Sequence, residues 1–161
     1  ALWPRTDTEL PAFMAWLTTT HSKRWHAWRR TAGTGHVYQG RYKAFPVSND
    51  IHFLCLCRYV ERNALRAGFV RRAEDWPWSS LAQRVRRLSA IALAEWPVAR
   101  PSDWTNLVQL DAVEETREVR QALRRSSPYG PEAWRVQIAN QLQLKSSLMP
   151  VGRPRKGKKA T

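Results

Sequence analysis

Between Thr8 and Trp28 the apolar residues Leu10, Phe13, Met14, Leu17, Trp25 and Trp28 recur at offsets of three, four and seven. That spacing predicts an amphipathic helix, with Thr8 as its N-cap and Pro11 in the first turn, where a missing N–H costs nothing. Gly33 and Gly35 then punctuate the chain. His36 to Val47 (HVYQGRYKAFPV) has the aromatic and branched residues of a strand, with Gly40 at a bulge and Pro46 ending it. A second helix is predicted from about Asn49 to Ala67, closed by Gly68 as its C′ glycine. Glu74 to Ser80 reads as a loop leading into a short helix through Arg87, and Trp96-Pro97 and Arg100-Pro101 interrupt the chain again. Residues 111–125 and Pro131–Leu144 form two more predicted helices, the latter with Ala133, Trp134, Ile138 and Leu142 near one face. Pro150 to Thr161 holds two Gly, two Pro and five basic residues with nothing to bury, so it is expected to order only on a ligand.

At 161 residues the chain is one domain's worth plus appendages, and 43% hydrophobic with 25% charged residues argues for a folded core. No apolar run reaches the roughly 18 to 20 residues of a membrane span. Cys55 and Cys57, the only cysteines, are too close on a helix to face one another. A disulfide scaffold is excluded, and the cytosol, in association with the nucleoid, is the expected compartment. The opening Ala1-Leu2-Trp3-Pro4 has no Met and no signal-peptide character. It reads as a cut within a strand-like phrase.

Charge changes the picture more. Twenty-seven Lys and Arg against 13 Asp and Glu leave a net +14, which calls for a polyanionic partner. No acid lies between Glu9 and Asp50, whereas Lys23, Arg24, Arg29, Arg30, Arg41 and Lys43 do; a second acid-free stretch, from Ala133 onward, carries Arg135, Lys145, Arg153, Arg155 and Lys156. The bland alternative is a solvated surface that aids solubility. Of nine Trp, Trp28 and Trp134 fit the apolar faces of their helices, while Trp76 and Trp78 stand in a loop where they can stack on bases. Gly152-Arg153-Pro154-Arg155-Lys156 resembles an AT-hook core, for which a plain basic tail is the alternative.

The second predicted helix carries the candidate chemistry. At about 100° per residue, with Tyr59 at zero, His52 falls at about +20°, Asn63 at about +40° and Arg66 at about −20°. Phe53, Leu56, Cys57, Val60 and Ala64 make a packing face beside that stripe. A phenol, an amide and a guanidinium in line suit phosphodiester chemistry: nucleophile, metal ligand and phosphate clamp. The alternative, open at this point, is that Tyr59 is a half-buried packing residue and Asn63 its solvent-facing neighbour. His52 with Cys55 and Cys57 gives an H-x-x-C-x-C spacing, but Cys57 falls on the packing face, which argues against zinc.

The phrase from Arg58 to Gly68 (RYVERNALRAG), followed by Ala73 to Leu81 (AEDWPWSSL), closely resembles the REP-associated tyrosine transposases of the single-tyrosine HUH superfamily. Trp16 to Ser22 and Gly33 to Lys43 match the same family in the same order, as does Gly152-Arg153-Pro154. The resemblance implies an α+β fold, a ferredoxin-like core of antiparallel sheet with helices, here incomplete at the N-terminus. It would occupy residues 1–90, with a helical extension over 91–149 and the basic tail over 150–161. It implies cleavage and joining of single-stranded DNA at hairpin repeats through a covalent 5′-phosphotyrosine, with Tyr59 as nucleophile and Asn63 as a ligand for Mg²⁺ or Mn²⁺.

The expected DNA contacts are Arg24, Arg29, Arg30, Arg41, Lys43, Arg66, Trp78, Arg153, Arg155 and Lys156, and the protein is expected to act as a monomer or homodimer. One departure matters: the His at 21, 26, 36 and 52 include no His-x-His pair, the family's other metal ligands. Without that pair the chain is expected to bind no metal and to be catalytically impaired. A non-catalytic DNA-binding remnant that recognises hairpin repeats, and a general single-strand nucleic-acid binder, are the alternative functions.

Overall fold

The computed structural model describes residues 2, 4–6, 8–87 and 92–149. Arg153, Arg155 and Lys156 therefore lie outside the described residues. The chain divides into two units, Ala1–Lys43 and Ala44–Thr161. Among the described residues no helix is long and apolar enough to cross a membrane.

The described residues are helical and contain no sheet, which overturns the expected α+β ferredoxin-like core. The segment His36–Val47, expected as a strand, forms none; its last residue alone makes an isolated parallel bridge, Val47 with Tyr129. The reason is pairing. A strand satisfies its N–H and C=O groups only against another strand; among the described residues His36–Val47 meets none, and Gly40 and Pro46 interrupt it.

In the first unit, helix α1 spans Glu9–Arg29 and ends where Arg30 adopts a left-handed conformation, φ 55°, with Thr31 N donating to His26 O. The helix carries no buried residue. Trp28, expected as a core anchor, is 71% exposed. The segment after it returns along α1: the Tyr38 hydroxyl and His21 Nδ1 are 2.7 Å apart, and a cleft of about 900 Å³ lies between helix and segment.

In the second unit, α2 covers Ile51–Glu61, α3 Asn63–Arg66, α4 Ser80–Val85, α5 Trp104–Gln109, α6 Val113–Arg125, α7 Glu132–Gln141 and α8 Lys145–Leu148, with a 3₁₀ turn at Ala73–Asp75. The expected helix over 49–67 is thus two pieces meeting at Arg62. Gly68 closes α3 as expected. At φ 74° it allows Phe69 N to donate to Ala64 O and Gly68 N to Leu65 O, the paired bonds of a Schellman motif.

α2 packs on two sides. Phe53 and Cys57 join Ala73, Leu81, Trp104 and Val108 in one core cluster, while Cys55, Leu56 and Tyr59 pack against Val119, Ala122 and Tyr129 in another. Val60, expected on the packing face, is 50% exposed. The two ends of the unit are tied where Ser48 N donates to Tyr129 O and Tyr129 N to Pro46 O. Gly130 lies so close behind that a Cβ there would come within 2.6 Å of the Trp134 ring.

Asp50 caps α2. Its Oδ1 accepts from His52 N at 2.8 Å and from Ser48 Oγ at 2.6 Å, and the His52 ring, 2.8 Å from the same oxygen, stands edge-on to Tyr129. Burial raises the Asp50 pKa, but these hydrogen bonds outweigh it and hold the carboxyl below its ordinary value. A depressed folded pKa gives stability that is present above the unfolded value and lost as pH falls through the folded one. Acid unfolding of the second unit should therefore become less steep with pH in Asp50→Asn, and Asp50→Ala should cost about 1 kcal/mol as a lost cap. Urea titrations between neutral pH and pH 3 check both. Unchanged acid sensitivity in Asp50→Asn would contradict the assignment.

Candidate functional site

Tyr59 lies near the C-terminal end of α2, and the resumption of helix at Asn63 keeps the polar stripe on one side of the break. The Tyr59 ring is half-buried against the second core cluster. The Arg66 guanidinium stands 5.5 Å from the centre of that ring, and Arg66 Nη2 donates to Asn63 Oδ1 at 2.6 Å. Three of the four stripe residues therefore come together. His52 does not join them, being held by Asp50 at the other end of the helix.

Tyr59 and Arg66 open on a small cleft lined also by Cys55, Arg58, Arg62 and Glu115 among others. Its cations are unequal. Arg58 pairs with Glu115, and Arg62 lies 3.1 Å from Asp111. Arg66 has no carboxylate partner among the described residues, so its unspent N–H donors are the ones open to an added anion.

The described residues do not fit a divalent cation. They contain no group of three or more His, Cys, Asp or Glu placed to share an ion, and the one oxygen offered by Asn63 is engaged by Arg66. The H-x-x-C-x-C spacing also forms no site. Burial pushes the Cys55 thiol up to about 12 and the Cys57 thiol up to about 11, and zinc binds the thiolate.

Of the expected DNA contacts, Arg24, Arg29, Arg30, Arg41 and Lys43 are exposed in the first unit and have no carboxylate partner among the described residues. In the second unit Arg66 and Trp78 are exposed, Trp78 at 81%. Trp76 is half-buried and stacks on Phe69, their ring centres 5.9 Å apart.

Two groups escaped the sequence reading. Glu61 is 3% exposed, accepting from Trp104 Nε1 at 2.7 Å and from Ser80 Oγ. Its position beside Cys57 and Ala64 on the wheel, on the buried side, was the available signal. The other is the run of rings along α1, where Arg29 lies 5.0 Å from the Trp25 ring centre and 4.5 Å from that of Trp28. Trp-x-x-Trp-Arg in the acid-free second half of the helix was its signal.

Comparison of the chain with protein-family models, curated proteins and solved structures finds no match.

Proposed function

We propose that this chain binds single-stranded or hairpin-forming DNA, and that Tyr59 is the nucleophile of a tyrosine transposase that cleaves and rejoins those strands. The observation that carries the reading is Arg66: a cation without a carboxylate partner among the described residues, beside the phenol and bonded to Asn63. It is suited to hold a phosphate next to Tyr59. In the step proposed, the phenol oxygen attacks phosphorus and the bond from phosphorus to the 3′ oxygen breaks. The proton lost by the phenol ends on the released 3′-hydroxyl. One phosphoester replaces another, so the covalent 5′-phosphotyrosine is reversible and serves joining as well as cleavage. The net charge of +14 and the family resemblance of residues 16–81 support the same reading.

By that resemblance the reaction requires Mg²⁺ or Mn²⁺ held in part by a His-x-His pair, which this sequence lacks. A non-catalytic binder of hairpin repeats is therefore the second reading. It is favoured by Asn63 Oδ1 being engaged by Arg66.

The binding half of the proposal is tested by competition at one salt concentration between a hairpin flanked by single strand and a scrambled strand of equal length. A preference of tenfold or more is expected; equal affinities would leave only a general single-strand binder. Arg66→Ala should lower the slope of log affinity against log salt by about 0.7, the contribution of one phosphate contact on a single strand. An unchanged slope would remove Arg66 as a phosphate ligand.

A further inference from the structure

We propose that the C-terminal half of α1 is a stacking site for unpaired bases of single-stranded DNA. This deepens the DNA-binding reading by naming a surface for the bases, on a different unit from Tyr59. Four rings stand in a row. Tyr38 is 5.6 Å from His21, His21 is 6.1 Å from Trp25, and Trp25 is 5.7 Å from Trp28, measured between ring centres. His21, Trp25 and Trp28 follow one another at four and three residues, which puts them on one stripe of the helix. The stripe is open: Trp28 is 71% exposed, Tyr38 43% and Trp25 38%.

Charge selects the occupant. With Trp25 at zero, the rings of α1 lie between about −60° and 0°, Arg24 at about −100° and Arg29 at about +40°. Guanidinium groups thus border the rings on both sides, as a strand needs when its bases stack inward and its phosphates run along the edges. Arg29 already lies against both indoles, 5.0 Å from the centre of Trp25 and 4.5 Å from that of Trp28. A base entering beside it meets a planar cation as well as an aromatic ring. Within α1 the cations Lys23, Arg24 and Arg29 all belong to the second half, and its single acid, Glu9, stands in the first turn. The anion-seeking surface is therefore confined to the half that carries the ring row. Stacking tolerates any base, so this site contributes affinity for unpaired strand and leaves sequence choice to other surfaces.

The test uses the whole chain with two oligonucleotides of equal length at one salt concentration, a thymidine strand and an abasic sugar-phosphate strand. Because α1 carries no buried residue, Trp25→Leu and Trp28→Leu should leave circular dichroism unchanged. Each is expected to weaken thymidine binding about tenfold, and the double variant more, while abasic binding stays within twofold. Equal weakening on both strands, or none on either, overturns the proposal. So does a loss confined to vesicles of anionic phospholipid, which would make this face a lipid surface. A wild-type chain that binds thymidine and abasic strands equally yet prefers the hairpin would sink the stacking site and leave the Tyr59 reading standing; no DNA binding by the wild-type chain would sink both.

Discussion

Replacing Trp104 with alanine is expected to destabilise the unit beginning at Ala44 by about 3 to 5 kcal/mol, a large part of the margin of an ordinary domain. Two losses combine. Trp104 is 4% exposed, and its ring meets Trp96 edge-on at 5.1 Å, which in turn meets Phe53 at 5.5 Å. Truncation would open a cavity where α2 and α5 pack. It would also withdraw the indole donor from Glu61, leaving a buried carboxyl with Ser80 alone. Trp104→Phe reduces the packing loss, since it keeps a six-membered ring in place while removing the donor and the pyrrole edge that carries it. It should cost about 1 to 3 kcal/mol, the range for a buried acceptor that loses its donor. The urea midpoint followed by far-ultraviolet circular dichroism reads both; a wild-type midpoint for Trp104→Phe would mean that the Glu61 bond contributes nothing.

Tyr59→Phe is the change with the largest expected effect on activity. With the protein incubated with hairpin DNA and Mn²⁺, the covalent protein–DNA species seen on a denaturing gel should fall at least a thousandfold, on the order of a lost covalent nucleophile. In the step proposed above the phenol oxygen forms the new bond, and phenylalanine has none. The fold should not respond. The ring packs against Val119, Ala122 and Tyr129, contacts that phenylalanine retains, and the hydroxyl has no hydrogen-bond partner among the described residues. Binding to the hairpin strand should therefore stay within about twofold. A covalent species of undiminished yield would remove Tyr59 from its role, and loss of both binding and adduct would point to a packing residue instead.

The helices came through in the sequence where periodicity was sustained. The apolar spacing from Thr8 to Trp28 became α1, and the stretch 111–125, rich in both charge signs, became α6 over Val113–Arg125. Gly68 marked its helix end correctly because the left-handed C′ position favours glycine. What was not legible depended on partners. His36–Val47 has strand residues but no strand to pair with among the described residues, and local composition does not report that. α5 is six residues between chain breaks, too short for a repeat to show.

At the site, the wheel placed Tyr59, Asn63 and Arg66 together correctly. It could not foresee that Asp50 would draw His52 away, or that α2 would bury two faces while Val60 stayed exposed. Trp28 fits the apolar stripe of its helix, yet stands in the open because nothing in its own unit covers that stripe. Periodicity identifies a face, and only the tertiary fold decides what meets it.

The most direct measurement of the central claim is to digest the covalent complex of the protein with hairpin DNA using protease and nuclease, then locate the nucleotide by tandem mass spectrometry. A 5′-phosphonucleotide on the peptide containing Tyr59, attached at that residue, is the result predicted. Attachment to any other residue, or no covalent complex at all with hairpin DNA and divalent metal, would contradict the account.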